Sequence, residues 1–123
     1  MEDHILNWFE VAVTDFERAK KFYETILDIK METEEIPGYQ MAYFPFYQGK
    51  PTGSISKGAD CVPSTTGTLI YLNGNPDLTV ILKRVEKAGG KILVPKSPIT
   101  PEYGFFAQFI DTEGNKIGLH SEK

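Results

Sequence analysis

The feature that most restricts what this chain can fold into is a pattern that occurs twice. From Asn7 to Val13 the residues alternate, with Phe9, Val11 and Val13 on one face and Trp8, Glu10 and Ala12 on the other, which is the period of a strand. Thr14 followed by Glu17 predicts a capping box. Behind it Phe16, Ala19, Tyr23, Ile26 and Leu27 share one helical face, while Glu17, Lys20, Lys21 and Glu24 face away. Three strands are predicted next, at Ile29 to Thr33, Tyr39 to Phe46 and Thr52 to Ser56, the first two joined through Pro37-Gly38. The second round opens with a strand from Thr68 to Asn73, and Asn75-Pro76 supplies an N-cap and a first-turn proline. Leu78, Ile81, Leu82, Val85 and Ala88 form the apolar stripe of a second helix, which Gly89-Gly90 ends. Strands at Lys91 to Val94, Gly104 to Ile110 and Lys116 to His120 close the round, with Asp111 to Asn115 turning between the last two. A β-α-β-β-β unit therefore recurs at an offset of about 60 residues, and such a self-repeat constrains a fold more than any single propensity.

The stretch from Lys57 to Gly67, rich in Gly, Pro and small residues, reads as the connector between the two rounds. With 123 residues against a prior of roughly 150 per domain, the chain is expected to be one domain, residues 1–123, made of modules at about 5–58 and 66–122. Thirteen basic and seventeen acidic residues, spread without blocks, give a net charge of −4, which argues against nucleic acid or an anionic membrane as partner. No run approaches the roughly 20 apolar residues of a membrane span, and Met1-Glu2-Asp3-His4 lacks the basic start and apolar run of a signal peptide. The single cysteine, Cys61, excludes an intrachain disulfide framework and has no CxxC partner that would mark it as a nucleophile. The expected compartment is the cytoplasm, and His4 is expected in a frayed or edge segment.

The run Val13-x-Asp15-x-x-x-Ala19-x-x-Phe22-Tyr23, and the ending Phe109-Ile110-Asp111-Thr112-Glu113-Gly114-Asn115 with Thr112 where proline is usual, resemble the vicinal oxygen chelate superfamily. That family holds glyoxalase I, the bleomycin resistance proteins and the extradiol dioxygenases. The resemblance implies an α+β fold in which two β-α-β-β-β modules form a cup-shaped mixed sheet with helices outside, and a homodimer. It also implies up to four His or Glu metal ligands on the first and last strands of the modules. Carried over, those positions fall on Trp8, Ser54, Leu69 (or Thr68) and Gly118, none of which is a plausible ligand for zinc, nickel or iron. The expectation is accordingly no metal and no other cofactor, a divalent metal being disfavoured.

Two residues further along the same strands, on the same face, lie Glu10, Ser56, Tyr71 and His120. A carboxylate beside an imidazole makes a general acid–base pair, so Glu10 and His120 are the catalytic candidates, against the plainer alternative of a buried pair that only satisfies itself. Trp8, Ser56, Tyr71 and Gln108 are the candidate ligand contacts, Trp8 as a stacking platform. The remaining aromatics, Tyr39, Tyr43, Phe44, Phe46, Phe105 and Phe106, are expected in the core or a dimer contact. Pro95 to Pro101 reads as a surface loop, with a lid as the alternative. The leading functional expectation is a glyoxalase-like small-molecule-binding protein without the usual metal centre. The alternatives are a metal-dependent lyase or dioxygenase, and a drug-sequestering protein whose acidic, aromatic pocket suits a planar cation.

Overall fold

The structure is a computed structural model and describes residues 5–123; His4 lies outside the described residues. The expected order is present: β1 (Phe9–Ala12), α1 (Phe16–Leu27), β2 (Glu32–Ile36), β3 (Tyr39–Tyr43) and β4 (Gly53–Lys57), then β5 (Tyr71–Asn73), α2 (Thr79–Val85), β6 (Lys91–Pro98), β7 (Phe105–Ile110) and β8 (Lys116–Ser121). Each round makes its own four-stranded mixed sheet, ordered β1-β4-β3-β2 and β5-β8-β7-β6. In both, the first strand runs parallel to the last and the other pairs are antiparallel.

Register decides which side chains meet. In the first sheet Val11, Ile55 and Ala42 stand in one cross-strand row, and in the second Leu72, Leu119 and Ala107 do the same. These rows face the helices. They join Phe16, Ala19, Phe22, Tyr23 and Ile26 of α1 and Leu82 and Val85 of α2 in a single apolar cluster that spans both modules, where burying each large side chain contributes about 1.5–3 kcal/mol. Because strand side chains alternate, the next rows, Glu10–Ser54–Tyr43 and Tyr71–Gly118–Gln108, belong to the opposite faces.

Four local expectations are corrected. The cap of α1 is Asp15, whose side chain accepts from the Arg18 N–H at 3.0 Å, and not Thr14. Thr14 is diverted by a contact far away in sequence, since its N–H and hydroxyl both donate to Glu113. The start of α2 lies beyond Asn75-Pro76, because the Asn75 side chain accepts from the Glu122 N–H while Asp77 accepts from the Thr79 N–H. The α-helix itself stops at Val85 and continues only as turns to Gly89-Gly90. Finally, Pro95 to Pro98 is not a loop: β6 runs through it as an edge strand with register shifts between Ile92 and Val94 and between Val94 and Ser97, the setting in which a sheet tolerates proline.

The two modules are fastened by the β7–β8 turn. Glu113 takes hydrogen bonds from Thr14 N and Oγ1, Asp15 N and Arg18 Nε, at 2.7–3.0 Å, so a carboxylate of the second module sits at the positive start of α1. Burial pushes this carboxyl up, but the hydrogen bonds from Arg18, Asp15 and Thr14 outweigh it and hold the pKa at about 2. Beside it the buried Tyr23 hydroxyl donates to Asp111 at 2.6 Å, and Asn115 Nδ2 donates to the Ala12 carbonyl at 2.7 Å.

Candidate functional site

On the open face of the first sheet, the Trp8 indole N–H donates to Glu10 at 3.1 Å and the Trp8 ring meets Tyr43 edge-on, with centroids 6.0 Å apart. The Tyr43 hydroxyl donates to Glu34, and that bond raises its pKa. The Tyr39 hydroxyl donates across to Asp60 in the connector. Burial, followed by the charges of Asp60 and Glu10, pushes the Cys61 thiol up. Ser56 is only 1% exposed, and its hydroxyl is spent on Ser54 at 2.9 Å. Ser56 stands level with Ala12 and Met41, one same-face row away from Glu10 and Ser54, and is buried where a ligand contact was expected. Trp8 and Glu10 border a cavity of about 360 Å³ with Val62 and Lys116.

The open face of the second sheet is built differently. Tyr71 lies level with Gly118, and a Cβ added to Gly118 would stand 2.3 Å from its ring. The glycine thus lets the ring lie flat across β8. Its hydroxyl then meets Gln108 on β7, whose amide N–H donates to it at 2.9 Å. Gln108 shares its face with Phe106, and the Phe106 and Tyr71 rings meet edge-on with centroids 6.5 Å apart. His120, in the row of Phe106, holds the Tyr103 carbonyl through Nε2 at 2.6 Å. A cavity of about 520 Å³ opens here between Tyr71, Ile99, Phe106 and His120.

The structure brings Tyr71, Gln108 and His120 together with Phe106, and brings Trp8 together with Glu10. It does not make the Glu10–His120 pair expected from the sequence. Glu10 is bonded to Trp8, His120 to Tyr103, and the two line different cavities. Phe106 was expected in core or dimer contact; its alternation with Gln108 was the signal that it belongs to the open face. Ile99 and the Tyr103 carbonyl reach the site from the turn after β6, and no sequence signal marks a backbone carbonyl. A wider cleft of about 760 Å³ between the modules, bordered by Phe9, Phe44, Asn73 and Arg84, meets the second-sheet face at Tyr71.

Paired β-α-β-β-β modules with open faces of this kind define a class of fold seen in solved structures. A glyoxylase/bleomycin resistance protein/dioxygenase domain from Frankia sp. superposes with a TM-score of 0.72 at 15% identity, over 100% of this chain and 99% of that one. Glyoxalase I from Zea mays superposes with a TM-score of 0.64 at 21% identity, over 95% of this chain but only 46% of its own, so the chain spans less than half of the maize enzyme. A glyoxylase-like domain-containing protein from Didymella fabae is 33% identical over 115 residues, which is 89% of this chain and 88% of the relative. The model of the Glyoxalase/Bleomycin resistance protein/Dioxygenase superfamily matches residues 5–119, and the chain belongs to that family. No helix among the described residues is long and apolar enough to cross a membrane.

Proposed function

We propose that this chain is a small-molecule-binding member of the family that works without the family's usual metal centre and holds its ligand on the second-sheet face, around Tyr71, Phe106, Gln108 and His120. The observation that carries this reading is Tyr71 laid across Gly118. Where the resemblance calls for a glutamate, there is no side chain, and an aromatic ring occupies the space above it. The other inherited positions offer the Trp8 indole, the Ser54 hydroxyl already bonded to Ser56, and the Leu69 alkyl group or, one residue earlier, the Thr68 hydroxyl. Such donors do not fit zinc, nickel or iron, which are held by imidazole, carboxylate or thiolate. A homodimer is part of the same reading, supported by Phe46, Tyr47 and Tyr103, large side chains left exposed on a single chain.

The test is elemental analysis of protein purified without chelator, followed by thermal melting with nickel, zinc, iron and manganese. The expected result is no stoichiometric metal and no rise in melting temperature, because a ligand that binds only the folded state must raise it. One retained metal per chain refutes the reading. A second reading, sequestration of a planar cation, is favoured by the first-sheet face, where Glu10 and Glu34 accompany Trp8 and Tyr43.

A further inference from the structure

We infer that the second-sheet face selects planar, uncharged rings that carry a hydrogen-bond donor directly beside an acceptor, as in a cyclic amide; this rests on the binding reading above and goes on to name the ligand class. The walls contributed by Tyr71, Ile99 and Phe106 are apolar, and no Asp, Glu, Lys or Arg among the described residues borders the cavity. A charged ligand entering it would give up hydration with no counter-charge in return. Flat rings suit the edge-on pair of Tyr71 and Phe106, and about 520 Å³ accommodates two fused rings.

The polar groups fix the pattern within that ring. A carbonyl oxygen can only accept, so the 2.6 Å contact with Tyr103 requires the proton of His120 to be on Nε2. The neutral imidazole then presents Nδ1 as an acceptor. No described residue donates to it, and no buried side-chain nitrogen or oxygen among the described residues lacks a partner, so Nδ1 is open to a ligand. The Tyr71 hydroxyl accepts from Gln108, which leaves its own proton free to donate. Same-face positions along a strand are about 6.5 Å apart, and His120 is the next same-face residue of β8 after the Gly118 that Tyr71 covers. Tyr71 and His120, which carry that donor and that acceptor, are neighbours on this face and both line the apolar cavity that would receive one small molecule. Its carbonyl would take the Tyr71 proton and its N–H would meet Nδ1.

The turn after β6 holds this arrangement in place. Gly104, at φ +85°, packs so closely on the end of β8 that an added Cβ would stand 2.3 Å from the Ser121 carbonyl. The same turn carries Ile99 to the cavity and the Tyr103 carbonyl to His120, and that carbonyl sets the tautomer. His120 thus contacts the ligand, while Tyr103 is a positioning residue that acts through its backbone.

The test uses the full chain and two probes, the bicyclic lactam carbostyril and its N-methyl derivative, which keeps the ring and carbonyl but loses the donor. Calorimetric titration is expected to show carbostyril binding at least about tenfold more tightly, the cost of leaving one hydrogen-bonding group unpaired. His120→Leu, which removes the Nδ1 acceptor, should erase that preference. Tyr71→Phe, at a side chain 46% exposed, should weaken both probes about equally and keeps the test readable if the His120 variant does not fold. Equal binding of both probes by the wild type, with NMR shifts confined to this face, overturns the donor–acceptor inference and leaves the binding face standing. Binding of neither probe overturns the inference as well. A retained metal overturns the underlying reading whatever the probes do, so the two failures are distinct.

Discussion

Replacing Glu113 by Gln tests the account of how the modules are fastened. In the native chain one carboxylate oxygen accepts from Thr14 N, Thr14 Oγ1 and Asp15 N, and the other accepts from Arg18 Nε and Thr112 Oγ1. The amide keeps the first oxygen but turns an N–H₂ toward Arg18, donor against donor, and removes the charge at the start of α1. The carboxyl is held at about 2 against an ordinary 4.5, a difference worth about 3.5 kcal/mol at 1.4 kcal/mol per unit. With Arg18 half exposed the share retained in water is about 2–3 kcal/mol, or a fall of about 6–15 °C in melting temperature for a chain of this size. Because the folded-state pKa is depressed, this stability is complete above about pH 5 and drains away as the pH falls toward 2. Urea unfolding at pH 7 should therefore separate wild type from E113Q by the full amount, and at pH 3 by about half that or less. A gap that is the same at both pH values, or absent at pH 7, refutes the clamp.

Two further outcomes follow from the same geometry. Tyr23→Phe should cost about 1–3 kcal/mol in urea unfolding, because it removes the 2.6 Å bond to Asp111 inside the core and leaves a carboxylate oxygen one donor short; a neutral result would mean that Asn115 and the Glu113 N–H satisfy Asp111 without it. Burial and Asp111 push the Tyr23 phenol well above its usual range, so this cost should not vary between pH 5 and 9. Gly118→Ala should drive the Tyr71 ring off β8 and break its bond to Gln108, changing the Tyr71 NMR signals strongly while stability falls by less than about 1 kcal/mol, since the ring is half exposed. Unchanged Tyr71 signals would show that the ring does not depend on the glycine.

The sequence made the architecture legible because its two rounds of alternation and amphipathic periodicity are local properties: Val11, Ile55, Leu72 and Leu119 face the core as their spacing requires. The losses came where a distant group took over a local one. Thr14 is drawn away by a carboxylate ninety-nine residues distant, leaving the cap to Asp15, and Asn75 is drawn away by the Glu122 N–H. The site was legible in part for the same reason. Tyr71, Gln108 and His120 share a face, as strand period predicts, but the Glu10–His120 pair presumed a meeting of two sheets that register within each sheet cannot specify. Ser56 keeps the face that its spacing predicts but lies two residues beyond the position level with Glu10, beside Ala12.

The bonds of Glu113 bear on what half of this chain can do alone. Residues up to the connector fold a helix whose first turn lacks the carboxylate that completes it, and the second half carries that carboxylate with nothing to receive it. Between separate molecules such an encounter would depend on their concentration. Tethering by the stretch from Lys57 to Gly67 makes it unimolecular, at an effective concentration in roughly the millimolar range for a short flexible link. The covalent joint between the repeats thus acts as a thermodynamic device, keeping two complementary halves engaged however dilute the protein becomes.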